Sequence, residues 1–143
     1  MKISDNELVN HAVAATKKVR MVAETREGWN LMGYVGAALI TSAGNLYTGI
    51  NIDLRCGMGI CAEYSAVAEM IKNGETEIDK IVATTSEGSI LPPCGKCREM
   101  LYQINESNMD TKILLSLNDK KLLRELLPHN WQKYFDKSLY QKG

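Results

Sequence analysis

The sequence predicts an α/β fold in which one mixed sheet carries helices on its faces. Hydrophobic periodicity gives the element order α-β-β-α-β-α-β, which suits such a layered architecture. The segment 34–40 (Tyr-Val-Gly-Ala-Ala-Leu-Ile) is apolar without alternation, as a strand covered on both sides should be. A length of 143 residues with 45% hydrophobic content suffices for one core and is too short for two. One domain over residues 1–143 is therefore expected.

The elements follow in order. Ser4-Asp5-Asn6-Glu7 has the form of a capping box, in which a hydroxyl and a carboxylate three residues apart satisfy each other's amides. Leu8, Ala12, Ala15, Val19 and Val22 then recur at helical spacing, placing a first helix at 5–24. The strand at 34–40 turns at Ser42-Ala43-Gly44-Asn45 and pairs back through 46–50. A second helix starts near Cys61 and stops at Asn73-Gly74, residues that favour the left-handed conformation ending many helices. A strand follows at 80–85. Pro92-Pro93 suits the entry to a third helix at 94–105, because the first amides of a helix have no helical acceptor. Residues 112–117 form another strand. After Asn118-Asp119 a short extended segment precedes 122–127, which Pro128 closes, and a final helical turn or two occupies 130–138.

Lysine plus arginine (17) equals aspartate plus glutamate (17), so no net positive field exists to hold a polyanion, and nucleic acid is not an expected partner. Met1 to Glu7 lacks the apolar core of a signal peptide, and no stretch is long enough to cross a bilayer. No membrane partner is expected, and the expected location is the cytoplasm. In that reducing setting four cysteines point to metal binding or catalysis rather than to disulfides.

Both cysteine clusters fall where helices begin. In Pro92-Pro93-Cys94-Gly95-Lys96-Cys97 the two cysteines are one turn apart and can face one point, and Cys61 can approach from the second helix start. The exposed amides of a helix start favour the thiolate. Three sulfurs fill three corners of a tetrahedral zinc and leave one for water. Glu63, two residues from Cys61, is near enough to move that water's proton without being a ligand. Three thiolates leave a net negative charge on the site, which helix dipoles, amide donors, Lys96 and Arg98 are candidates to offset.

Two other readings use the same residues. Cys56 together with Cys61, Cys94 and Cys97 would make a closed, non-catalytic structural zinc module with four cysteine ligands. Cys94-Gly95-Lys96-Cys97 alone is a redox pattern, although that reading leaves Cys61 and Glu63 idle. Cys56 otherwise reads as packing, and His11 and His129 as surface residues.

With these residues in place, the chain resembles the cytidine deaminase family, small zinc enzymes acting on free nucleosides. The matching segments are Val35-Gly36-Ala37-Ala38-Leu39, Thr48 to Asp53, Cys61-Ala62-Glu63, Pro93 to Arg98 and Leu126-Leu127-Pro128, in family order over most of the chain. The resemblance implies a three-layer α/β/α fold with a five-stranded mixed sheet, usually as a homotetramer. It implies one zinc ion per subunit on Cys61, Cys94 and Cys97, with Glu63 as proton shuttle. It implies hydrolytic deamination of cytidine and 2′-deoxycytidine to the uracil nucleosides plus ammonia, in pyrimidine salvage. It further implies substrate contacts at Asn51, Asp53 and Ala62, with Asn51 and Asp53 placed at the ribose hydroxyls. Asp53 is one methylene shorter than the glutamate usual there.

Other departures resemble the blasticidin-S deaminase branch: Tyr64 where an arginine is common, Gly33 where a pocket phenylalanine is common, and a short segment before Cys61. A modified cytosine nucleoside such as blasticidin S is accordingly the alternative substrate. Trp131 falls where both branches place an aromatic near the site.

Overall fold

The computed structural model describes residues 2–23 and 32–140, and side chains as far as residue 135. In chain order these residues form α1 (Asp5–Ala23), β1 (Val35–Thr41), β2 (Leu46–Ile50), α2 (Ala62–Lys72), β3 (Ile78–Thr85), β4 (Ile90–Leu91), α3 (Gly95–Ile104), β5 (Lys112–Ser116), β6 (Asp119–Leu122), α4 (Leu123–Leu126) and α5 (Trp131–Tyr140). A 3-10 helix at Glu106–Asp110 joins α3 to β5.

The sheet runs β2-β1-β3-β5-β6, and β4 pairs with the far end of β3. β1 is antiparallel to both β2 and β3, whereas β3 and β5 are parallel. These are the five strands expected of a mixed sheet, with β4 added. A two-residue strand is too short to show a period in sequence, and only the Ser86-Glu87-Gly88 turn before it marks its place.

Adjacent β1 residues belong to opposite cores. Ala38 joins Val82 and Leu114 under Leu8, Val9 and Ala12 of α1. Ala37 and Leu39 join Ile81 and Ile113 under α2 and α3, packed against Ala62, Ala66, Met70 and Leu101. Both faces of β1 are thus covered, which is why its sequence does not alternate. The layers are α1, the sheet, and α2 with α3.

Two glycines set how closely the layers approach. A Cβ on Gly36 would lie 2.0 Å from the Ala12 carbonyl oxygen, and one on Gly49 would lie 2.3 Å from the Ala66 amide nitrogen. Helix backbone therefore rests on strand backbone at both places, a distance that no side chain fits. The second contact seats α2, and with it the residue at its amino end, Cys61.

Local signals explain the helix ends. Ser4 Oγ accepts the Glu7 amide at 3.3 Å, and Glu7 Oε2 accepts the Ser4 amide at 2.7 Å, closing the capping box. α2 stops where Gly74 takes φ +84 and its amide donates to Ile71 O at 2.9 Å. Asp5 in the first turn of α1 is bridged to Lys80 of β3 at 2.5 Å and to Lys120 of β6 at 2.6 Å, pinning that helix to two strands.

Some expectations shift. The buried stripe of α1 is Leu8, Val9, Ala12, Thr16 and Ala23, while Val22 is 41% exposed; the expected end at residue 24 lies outside the described residues. Thr16 is accepted in the stripe because its hydroxyl donates to Val13 O at 2.7 Å. β3 starts at Ile78, two residues early, through a bulge opposite Ile40–Thr41 that turns both Ile78 and Ile81 to the α2 side. Segment 122–127 is the end of β6 followed by the short helix α4.

Candidate active site

Cys61 and Cys94 are the cap residues at the amino ends of α2 and α3, both in extended backbone and neither using its side chain to cap its own helix. Cys97 lies in the first turn of α3 and is fully buried. This placement turns the sulfurs toward one another: Cys61 Sγ to Cys94 Sγ is 3.7 Å, Cys94 Sγ to Cys97 Sγ is 3.5 Å, and all three lie within 4.8 Å. Zinc–sulfur bonds of about 2.3 Å at a tetrahedral angle put sulfurs about 3.8 Å apart, so the spacing fits a zinc ion on three corners. Cys56 is exposed on the loop before α2 and is not in that group.

Glu63 sits in the first turn of α2 and is 5% exposed. The Cys97 thiol donates toward its Oε2 at 3.6 Å, so the carboxyl stands beside the sulfur cluster. Burial pushes the Glu63 carboxyl above the ordinary glutamate range. Burial also raises the Cys97 and Cys61 thiols. For Cys94 burial works the same way but is outweighed by hydrogen bonds from the Cys97 amide and the other two sulfurs, which hold its thiol below the ordinary value. Sulfurs this crowded ionise together only when a cation compensates them, and a coordinating thiol is deprotonated outright by its metal. The donor set therefore fits the divalent ion its spacing suggests.

A cavity of about 420 Å³ opens onto this cluster. Its inner end holds the buried Ala62 and Glu63 with Cys61, beside the exposed Pro92 and Cys94; Val35, Ile60, Ala83 and Leu91 line it further along, with Asn51 and the exposed Asp53, Leu54 and Gly57. Asn51 is fixed in place: its Oδ1 accepts the Val35 amide at 2.9 Å, and its backbone amide donates to Val35 O at 3.0 Å. Beyond it, a two-way backbone bridge between Ile52 and Ile60, at 3.0 and 2.9 Å, pinches residues 53–59 into a loop. At the loop tip Cys56 and Gly57 take φ +58 and +68. All of the expected site residues, namely Asn51, Asp53, Cys61, Ala62, Glu63 and Cys94, line one cavity, with Cys97 behind them.

Three further residues have partners of their own outside the sulfur group. Arg98 reaches no sulfur: its Nε donates to Pro93 O at 2.9 Å and Nη1 to Leu126 O at 3.1 Å, tying the α3 entry to the end of α4. The Lys96 ammonium lies 4.8 Å from the centre of the Tyr64 ring. Trp131 is 57% exposed, stacked on Phe135, and borders a separate groove with Tyr64 and Lys96 instead of the cavity. Gly33 explains its own departure, because its φ is +67 and the place of a Cβ is filled by Val19 of α1.

Comparison with known proteins agrees with this geometry. The protein superposes on the crystal structure of cytidine deaminase from Mycobacterium leprae with a TM-score of 0.73 and 26% identity, over 90% of this chain and 100% of that one. The layered fold is that of the cytidine deaminases, and its three sulfurs form a group that could hold a metal ion. Residues 4–111 match the profile of the cytidine and deoxycytidylate deaminase zinc-binding region, and the chain belongs to that family. Blasticidin-S deaminase of Bacillus cereus is 31% identical over 136 residues, 87% of this chain and 89% of that protein. Cytidine deaminase of Mycobacterium tuberculosis (strain ATCC 25618 / H37Rv) is 32% identical over 76 residues, so the match spans 52% of this chain and 57% of that relative. Among the described residues no helix is long and apolar enough to cross a membrane.

Proposed function

We propose that this chain catalyses hydrolytic deamination of cytidine and 2′-deoxycytidine to the uracil nucleosides and ammonia. One observation carries the reading: a buried carboxyl, Glu63, stands 3.6 Å from a sulfur of a three-cysteine group that could hold a metal, and lines with it a nucleoside-sized cavity of about 420 Å³. Cys61, Cys94 and Cys97 would hold the zinc ion, which would supply Lewis acidity to make water a better nucleophile. Glu63 Oε2 takes the proton from the attacking water and delivers it to N3 of cytosine. It then serves the departing 4-amino group in the same way, so that water is consumed and ammonia released. A buried carboxyl beside the sulfur cluster is placed to hold a proton between these transfers. The apolar walls Val35, Ile60, Ala83 and Leu91 exclude bulk water from the base, and Ala62, fully buried, floors the pocket beside it. Asn51 and Asp53 meet the ribose hydroxyls.

The role that follows is pyrimidine salvage in the cytoplasm. We take the working form to be a homotetramer, supported by the apolar side chains exposed between residues 52 and 58, Ile52, Leu54 and Met58; light scattering at micromolar concentration checks this, and a monomer contradicts it. A second reading, deamination of blasticidin S, is favoured by the 31% identity to a blasticidin-S deaminase across 87% of this chain. Ultraviolet assays with cytidine, 2′-deoxycytidine and blasticidin S in parallel decide between them. Turnover of the first two supports salvage; turnover of blasticidin S alone replaces it.

A further inference from the structure

The three sulfurs differ in how they meet solvent. Cys94 is exposed and lines the cavity, Cys61 lines it half-buried, and Cys97 is fully buried and stands outside the lining. Cys94 is also the sulfur between the other two, 3.5 Å from Cys97 and 3.7 Å from Cys61. The shorter approach lies within a single helix turn: Cys94 caps the amino end of α3 in extended backbone, and Cys97 sits in the first turn. Closing that pair from 3.5 Å to the ~2.05 Å of a disulfide moves only the segment Cys94-Gly95-Lys96-Cys97. Joining Cys94 to Cys61 would instead draw the starts of two helices together. Both starts are anchored, α2 by its backbone contact at Gly49 and α3 by the bonds from Arg98 to Pro93 O and Leu126 O. An exposed thiol with a buried partner one turn behind it suits a pair in which the first sulfur meets an oxidant and the second resolves it.

We propose that Cys94 and Cys97 form a redox switch on the metal site: a peroxide converts them to a disulfide, which dismantles the zinc ligand set, and a dithiol restores it. The inference rests on the reading of the three cysteines as zinc ligands of a deaminase and adds a regulation of that site. The Cys94 sulfur attacks one oxygen of hydrogen peroxide, the O–O bond breaks, and water leaves as the sulfenic acid forms. The Cys97 sulfur then attacks the Cys94 sulfur, the S–O bond breaks, and a second water departs. Two thiolates, one peroxide and two protons from solvent thus give one disulfide and two waters. Cys61 alone then remains of the three protein ligands that such a centre needs.

The test treats the zinc-loaded protein with an equimolar amount of hydrogen peroxide. A chromophoric chelator follows zinc release, and mass spectrometry maps the disulfide after the remaining thiols are alkylated. The expected result is a Cys94–Cys97 disulfide with Cys56 and Cys61 alkylated, and about two thiols lost for each zinc released. Dithiothreitol with added zinc should return both the thiols and the metal. Cys56→Ser should form the same disulfide, and so should Cys61→Ser, with or without retained zinc. A disulfide that includes Cys56 or Cys61, oxidation that stops at sulfinic acid, or a Cys94–Cys97 disulfide formed without zinc loss overturns the proposal. None of these readouts needs turnover. A protein that switches in this way but deaminates no cytosine nucleoside defeats the deamination reading alone, and one that deaminates but keeps its zinc under peroxide defeats the switch alone.

Discussion

The inner and outer ends of the cavity are built by different means. At the inner end Cys61, Cys94, Cys97 and Glu63 are all held in the cap or first turn of two helices, and α2 is seated backbone to backbone on β2 at Gly49. At the outer end Asp53, Leu54 and Gly57 sit on an exposed loop closed by one β-bridge and turned at two left-handed residues. The difference separates chemistry from selection. Groups that share a metal need fixed spacing, which regular elements provide, whereas groups that meet the variable end of a substrate belong on a loop that can change without disturbing them.

That contrast can be broken from the inside outward. The largest effect belongs to Glu63→Gln, which keeps the size of the side chain and removes its proton transfer. Deamination should fall by about 10²- to 10⁴-fold while zinc content stays at one per chain; an unchanged rate removes Glu63 from the reaction. Gly49→Ala tests whether the seating of α2 supports the inner end. Its Cβ meets the Ala66 amide at 2.3 Å, so stability should drop by about 1–3 kcal/mol in thermal or urea unfolding.

A smaller effect is expected far from the cavity. The hydrogen bonds from Lys120 and then Lys80 hold the Asp5 carboxyl below the usual aspartate range. A lowered folded-state value means that the stabilisation is present above the unfolded pKa of about 3.9 and is lost as pH falls through the folded one. Asp5→Asn should therefore cost about 1 kcal/mol at neutral pH. The gap from the native protein should close below about pH 4 in acid unfolding curves. The smallest effect should come from the outer loop: Cys56→Ser leaves zinc content and deamination as they were and shifts stability by less than about 0.5 kcal/mol. Loss of zinc in that variant would place Cys56 on the metal.

The same contrast governs what could be read in the sequence. The inner end was legible because helix geometry converts residue spacing into direction: C-x-x-C at a helix start, and C-x-E at another, allow few arrangements of their side chains. The capping box at Ser4 and the stop at Asn73-Gly74 were legible for the same reason, each being a local rule met by local residues. Long-range contacts carried no such signal. The carbonyl partners of Arg98, the place of Lys96 over Tyr64 and the outward position of Trp131 depend on elements that come together only in the fold. The 3-10 helix after α3 is a further case: it holds the buried Asn108, whose Oδ1 accepts the Ile78 amide at 2.9 Å and whose Nδ2 donates to Leu101 O at 3.0 Å. An asparagine read alone gives no hint of a partner 30 residues away.

The claim beneath all of this is that the metal is bound by sulfur on three corners and open on the fourth. Zinc-edge X-ray absorption on the purified protein measures this directly, since sulfur at about 2.3 Å and oxygen at about 2.0 Å are resolved as separate shells. The account predicts three sulfurs and one light atom around each zinc, in the native protein and in Cys56→Ser alike. Four sulfurs, falling to three in Cys56→Ser, would contradict it.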